Sequence, residues 1–108
     1  MGKIELNKIE EKEIVPGYFV RFVHSEKMTI AYWSVKAGSA LPAHSHPHEQ
    51  ICSVIEGEFE LTVDSKPHLL KQNDVFVIPS DVPHSGKAIT NCKLIDTFHP
   101  VREDYRQK

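Results

Sequence analysis

The chain has 108 residues, enough for one domain with a real core, so a single fold is expected to carry every function over residues 1–108. Thirteen basic against fifteen acidic residues leave a net charge of −2, with no basic stripe to track phosphates, which argues against a nucleic-acid partner. No apolar run approaches the roughly 18 residues of a membrane span, the opening Met-Gly-Lys-Ile-Glu-Leu-Asn-Lys is too charged for a signal-peptide core, and Cys52 and Cys92 form no CxxC pair; the expectation is a cytoplasmic protein with reduced thiols and no membrane partner.

Residues 1–15 set Ile4, Leu6, Ile9, Ile14 and Val15 among many charges, a pattern that fits either a short edge strand or a loosely held arm. From Gly17 the chain becomes a series of short β-rich runs: Tyr18 to Val23, Met28 to Val35, Gln50 to Ile55, Phe59 to Val63, Val75 to Ile78, and Leu94 to Phe98. Turn-forming residues separate them, among them Pro16-Gly17, Ala37-Gly38, Glu56-Gly57, Asp64-Ser65, Asn73-Asp74 and Pro79-Ser80-Asp81. No stretch between 17 and 98 has a helical period long enough to bury a face. This predicts an all-β barrel or sandwich, best matched by a small jelly roll, with 99–108 as a C-terminal tail.

Strand alternation assigns faces. If Gln50 points inward, so do Cys52 and Val54, and Ile51 and Ile55 lie on an apolar outer face that predicts a homodimer. Leu94, Asp96 and Phe98 share one face of the last strand, which sets a carboxylate between two apolar side chains. A buried unpaired carboxylate is costly, so Asp96 is expected to be paired or functional.

The chemistry concentrates in residues 38–57, where His44, His46, His48, Glu49 and Gln50 crowd together. Imidazoles are common ligands of first-row transition metals, and His44 and His46, two apart on an extended strand, would project from one face. The same density also fits a surface loop that binds metal adventitiously. Pro47 breaks the ladder before the next run begins, and the remaining ligands must come from elsewhere in the chain.

This stretch resembles the first motif of the cupin superfamily, G-x5-H-x-H-x3/4-E-x6-G, at Gly38, His44, His46 and Gly57, with Gln50 at the glutamate position. The second motif, G-x5-P-x-G-x2-H-x3-N, aligns with Asn73, Pro79, Asp81, His84 and Ala88. Proline and histidine match; the two glycines and the final asparagine do not. Asn and Asp are the non-glycine residues that best tolerate a left-handed backbone, so Asn73 and Asp81 are expected to make the turns that glycine makes elsewhere. The resemblance implies a cupin jelly-roll barrel with one divalent transition metal ion, Ni, Zn, Fe, Mn, Co or Cu, held by His44, His46, Gln50 and His84. Four neutral ligands leave the ion's charge uncompensated, which favours an anionic substrate. Glu49 competes with Gln50 by proximity but faces away on alternation. His48 is expected in a turn, exposed or beside the ligands, and His24, His68 and His99 on the surface.

The run His-Pro-His-Glu-Gln-Ile, the segment Glu-Gly-Glu-Phe-Glu-Leu, and an Asp-x-Phe-x3-Arg pattern at Asp96, Phe98 and Arg102 are similar to the small pectin-degradation cupins called KdgF. Cys52 departs from that pattern, an aromatic being common at its position. The resemblance implies conversion of 4,5-unsaturated monouronates from pectin or alginate to linear ketonised acids, with Asp96, Phe98 and Arg102 as working residues and a small anionic sugar as ligand. Asp96 would move protons, Phe98 would lie against a ring face, and the planar fork of Arg102 would match a carboxylate. Two alternatives stay open at this point: a cupin dioxygenase acting on an enolisable small molecule, and a non-catalytic sugar-acid binding module.

Overall fold

The computed structural model describes residues 2–106 as ten strands in two antiparallel sheets. The strands are β1 (Lys12–Val15), β2 (Tyr18–His24), β3 (Thr29–Val35), β4 (Ala40–His44), β5 (Glu49–Glu56), β6 (Phe59–Val63), β7 (Lys66–Leu70), β8 (Val75–Ile78), β9 (His84–Ala88) and β10 (Cys92–His99). One sheet has the order β1-β2-β3-β10-β5-β8 and the other β4-β9-β6-β7. This two-sheet arrangement is the expected jelly roll.

All six β-rich runs read from the sequence are strands, extended by a residue or two in places and shortened by one at Met28, which precedes β3. The N-terminal segment resolves into a 3-10 turn, Leu6–Lys8, followed by β1 at the sheet edge. Arg21 holds the intervening chain, donating from Nε to the Ile9 carbonyl at 3.0 Å and from Nη1 to Glu11 Oε2 at 3.1 Å. The tail adds a short helix, α1 (Glu103–Arg106); residues 107 and 108 lie outside the described residues.

The two inner faces meet in a core of Val20, Ala31, Val54, Phe59, Leu61, Ile78 and Leu94, each nearly or wholly removed from solvent. Burying each of the larger side chains contributes about 1.5–3 kcal/mol. Inward and outward residues alternate on β3, β5, β6 and β10, so Gln50, Cys52 and Val54 are buried while Ile51 and Ile55 are exposed, as the alternation predicts. Leu94, Asp96 and Phe98 likewise all face in.

The turns of both motifs use left-handed backbone. Gly38 and Gly57 have φ of 84° and 90°, and Asn73 and Asp81 have φ of 73° and 65°, so the two substituted positions adopt the left-handed conformation expected of them. Gly86 on β9 is fixed for another reason: a Cβ there would come within 2.4 Å of the Phe59 ring, which lies across it and walls the interior.

Candidate metal centre and its cavity

His44, His46 and His84 converge, one nitrogen of each lying within 4.8 Å of the others. His44 is the last residue of β4 and pairs directly with His84, the first residue of β9. The β4 register shifts between Leu41 and His44, a bulge-type irregularity of the kind that re-aims a side chain. His46 is not on that strand. It lies in the connection to β5, so the three rings are gathered by a strand end, a loop and a neighbouring strand rather than by one strand face as the spacing suggested.

Each ring is oriented through its Nδ1 by a backbone carbonyl: His44 by Pro42 at 2.9 Å, His46 by His48 at 3.0 Å, and His84 by Val82 at 2.9 Å. A carbonyl accepts only from a protonated nitrogen, so Nδ1 carries a proton in each, and in the neutral ring Nε2 then presents its lone pair. His84 Nε2 is buried and has no hydrogen-bond partner. His46 Nε2 lies 3.1 Å from Gln50 Oε1. In this tautomer both atoms are acceptors, a juxtaposition that a cation between them satisfies. Burial pushes His46 down to about 4, helped by the nearby Arg102 and His84, and burial also lowers His84, so both rings are neutral ligands at pH 7. The donor set therefore fits a divalent transition metal ion.

Gln50 is buried on β5 beside this triad, whereas Glu49 is exposed. The other half of the Gln50 amide acts as a donor toward Asp96, which leaves Oε1 turned to His46. Asp96 is flanked across the sheet by two small residues, Ala31 on β3 and Cys52 on β5, so its carboxyl is not packed shut. Burial drives its pKa up to about 6 despite the opposing influence of Gln50, Cys52, Trp33 and Arg102, and Oδ1 has no partner at hydrogen-bonding geometry. A carboxyl held near 6 exchanges protons readily at neutral pH. Cys52 is buried with its thiol pushed well up by desolvation and by Asp96, and both cysteines are free, as expected.

The tail supplies the mouth. The Arg102 backbone N–H donates to Thr29 Oγ1 at 2.9 Å, and Arg106 donates to the Ser25 carbonyl at 2.7 Å, which ties the tail to the β2–β3 corner. The Arg102 guanidinium lies between the Phe98 and Tyr105 rings, at 4.8 and 4.1 Å from their centroids. Its Nε and Nη2 engage Asp104 at 3.1 and 2.9 Å. That bidentate pair uses the Nε–Nη2 side of the fork, and the Tyr105 hydroxyl engages the guanidinium as well. Asp104, whose carboxyl Arg102 holds below the usual range, was not legible as a site residue.

His44, His84, Gln50, Asp96, Phe98 and Arg102 line one cavity. Every residue singled out in the sequence for metal or substrate thus lines this space, except His46, which packs behind it against Phe98 with ring centroids 5.7 Å apart. His48 contributes its carbonyl to His46 and is half-buried. His24 and His68 are half-buried against Phe22 and Phe76 rather than free on the surface, while His99 is exposed.

A family model described as "Cupin domain" matches residues 31–98. The chain is 33% identical over 64 residues to the "Pectin degradation protein KdgF" of Dickeya dadantii (strain 3937), covering 57% of this chain and 58% of that protein, and so spans less than two thirds of that relative's length. Among solved structures, KdgF from Halomonas sp. matches with a TM-score of 0.90 at 25% identity, over 97% of this chain and 99% of the other. An RmlC-like cupin from Shewanella frigidimarina NCIMB 400 matches with a TM-score of 0.87 at 31% identity, over 92% and 90%.

Proposed function

The chain belongs to the cupin family, and on that premise we propose that it is a metal-dependent enzyme converting 4,5-unsaturated monouronates to linear ketonised sugar acids. Similarity to two proteins named KdgF supports this reading, but the observation that carries it is chemical. A buried carboxyl with a pKa near 6 and a buried arginine guanidinium line one cavity with His44 and His84.

Ring opening requires a proton to leave the anomeric hydroxyl as the bond from C1 to the ring oxygen breaks; ketonisation then moves a proton from the enol oxygen to C4. The conversion is an isomerisation and needs no oxidant or reductant. Asp96 accepts and returns protons in both steps, its raised pKa matching it to neutral pH. Arg102 binds the uronate carboxylate while Asp104 holds its Nε–Nη2 side, and Phe98 packs against the sugar. His44, His46, His84 and Gln50 would hold the metal ion, which polarises substrate oxygens and stabilises developing negative charge when bound.

The test is incubation of metal-loaded protein with a lyase-generated unsaturated monouronate, following loss of the enol-ether absorbance against a buffer blank, with dissolved oxygen recorded in parallel. Loss of absorbance without oxygen uptake is the expected result. Metal-dependent oxygen consumption would replace this reading with a dioxygenase.

A further inference from the structure

The inner end of the cavity carries polar groups that neither the metal centre nor the proposed proton transfers use. Tyr18 on β2 and Trp33 on β3 both line it, retaining only 3% and 8% of their exposure; among the described residues Tyr18 Oη has no hydrogen-bond partner, and Trp33 Nε1 is turned toward Asp96 without reaching hydrogen-bonding geometry. Asp96, at 8%, leaves Oδ1 unpartnered in the same space. The three residues stand on neighbouring strands, β2, β3 and β10, and continue across the sheet from Gln50 on β5. The Tyr18 and Trp33 rings pack edge to face with centroids 5.8 Å apart.

Buried polar atoms are nearly always satisfied, and an unsatisfied one is costly. A phenylalanine would fill the ring volume of Tyr18 without leaving a hydroxyl unpaired. An unpartnered Tyr18 hydroxyl, beside a Trp33 N–H and an Asp96 Oδ1 that face each other without closing to hydrogen-bonding geometry, is instead the complement of a hydroxyl-bearing ligand that bridges them.

We infer that this inner end is a second subsite, where Tyr18 Oη and Trp33 Nε1 donate to an oxygen of a polyhydroxylated acid and Asp96 Oδ1 accepts from its hydroxyl, while the carboxylate is held at the Arg102 end. This rests on the sugar-acid reading above and narrows it. The ligand class is a short acid with hydroxyls at the end remote from its carboxylate, and an aromatic or hydrocarbon acid of equal size is excluded. The subsite also places Asp96 between the hydroxyl it would deprotonate and the Gln50 amide.

Trp33 is the one tryptophan of the chain, so its emission reports occupancy of the inner end directly. The experiment titrates metal-loaded parent and Tyr18→Phe with D-galacturonate, reading Trp33 fluorescence, calorimetric affinity and thermal midpoint, and measures KM of both on the unsaturated monouronate. Galacturonate should quench or shift the parent emission, whereas acetate, which can engage only the mouth, should not. Tyr18→Phe should bind galacturonate and monouronate roughly five- to tenfold more weakly, with a thermal midpoint equal to or above the parent's. Trp33→Phe, read by calorimetry alone, should weaken binding by a similar factor. Unchanged affinity in a folded Tyr18→Phe, a lowered midpoint with affinity intact, silent Trp33 emission at calorimetric saturation, or no galacturonate binding by the parent would each overturn the subsite. A parent that leaves the monouronate unconsumed while galacturonate binding stays Tyr18-dependent removes the proposed reaction and keeps the subsite. Full turnover with Tyr18→Phe indifferent does the reverse.

Discussion

Replacing Asp96 by Asn should stabilise the metal-free protein while disabling it. In the folded chain the carboxyl titrates near 6, against a reference of 3.8, because burial penalises its charge more than its neighbours relieve it. A folded pKa raised in this way means that the native state binds more protons than the unfolded state, so its contribution to stability falls as pH rises through this window. The linkage cost is about 1.6 kcal/mol at pH 5 and about 3 kcal/mol at pH 8. Asn keeps the shape and cannot ionise, so this cost vanishes in the variant. Its buried amide introduces a constant offset of its own, but the difference of about 1.4 kcal/mol between the two pH values survives any such constant. His46 works in the opposite sense, its depressed pKa contributing stability above 6.5 that is lost toward pH 4; that slope is common to parent and variant and cancels. Urea unfolding in the presence of chelator at pH 5, 6, 7 and 8 measures the gap. A gap that widens with pH supports the account, and one that is flat across the series refutes the buried, raised-pKa carboxylate. With metal restored, kcat on the unsaturated uronate should fall by something on the order of 10²-fold.

Arg102→Lys keeps the charge but loses the two-pronged edge and the stacking between Phe98 and Tyr105, and should weaken acid substrates by about 1.5–3 kcal/mol while a neutral analogue binds as before. Asp104→Asn should raise KM several-fold with kcat nearly kept, since it releases the guanidinium rather than the reacting groups; equal KM values would show that the pair does not position Arg102. Gln50→Ala should lower metal affinity measured by competition with a chelating dye, whereas Glu49→Ala should not, and the opposite pattern would exchange their roles. A homodimer is expected through the outer face where Ile51 stands opposite Val77, beside exposed Ile55 and Val75 on the open edge of the sheet. Sedimentation should give twice 12.3 kDa for the parent and move toward 12.3 kDa in Val77→Lys; a monomeric parent at micromolar concentration would dispose of the idea.

The parts of this molecule legible in the sequence are those where physical pattern and residue type coincide. Period-2 alternation assigned the faces of β5 and β10, and a left-handed tolerance argument placed Asn73 and Asp81 in turns that their φ values of 73° and 65° realise. Three strands escaped notice for identifiable reasons. β4 and β7 contain Pro42 and Pro67, which weaken a strand pattern, yet both strands are the edges of their sheet, where a missing N–H is tolerated. β9 buries His84, Gly86 and Ala88, small or polar residues that make room for the cavity and for Phe59 and so carry no β-branched signature. Tyr18 and Trp33 fall within β-rich runs and carry no separate signal in the sequence. Their unpartnered polar tips are visible only once three strands lie side by side.

Proton NMR of an unsaturated uronate in D₂O follows the proposed metal-dependent isomerisation at the reacting carbon itself. Metal-loaded protein should remove the vinylic C4 proton signal far faster than buffer, yield a linear keto acid carrying solvent deuterium at C4, and consume no oxygen, while chelated protein should do none of this. A vinylic signal that decays at the buffer rate in the presence of stoichiometrically metallated protein would contradict the account.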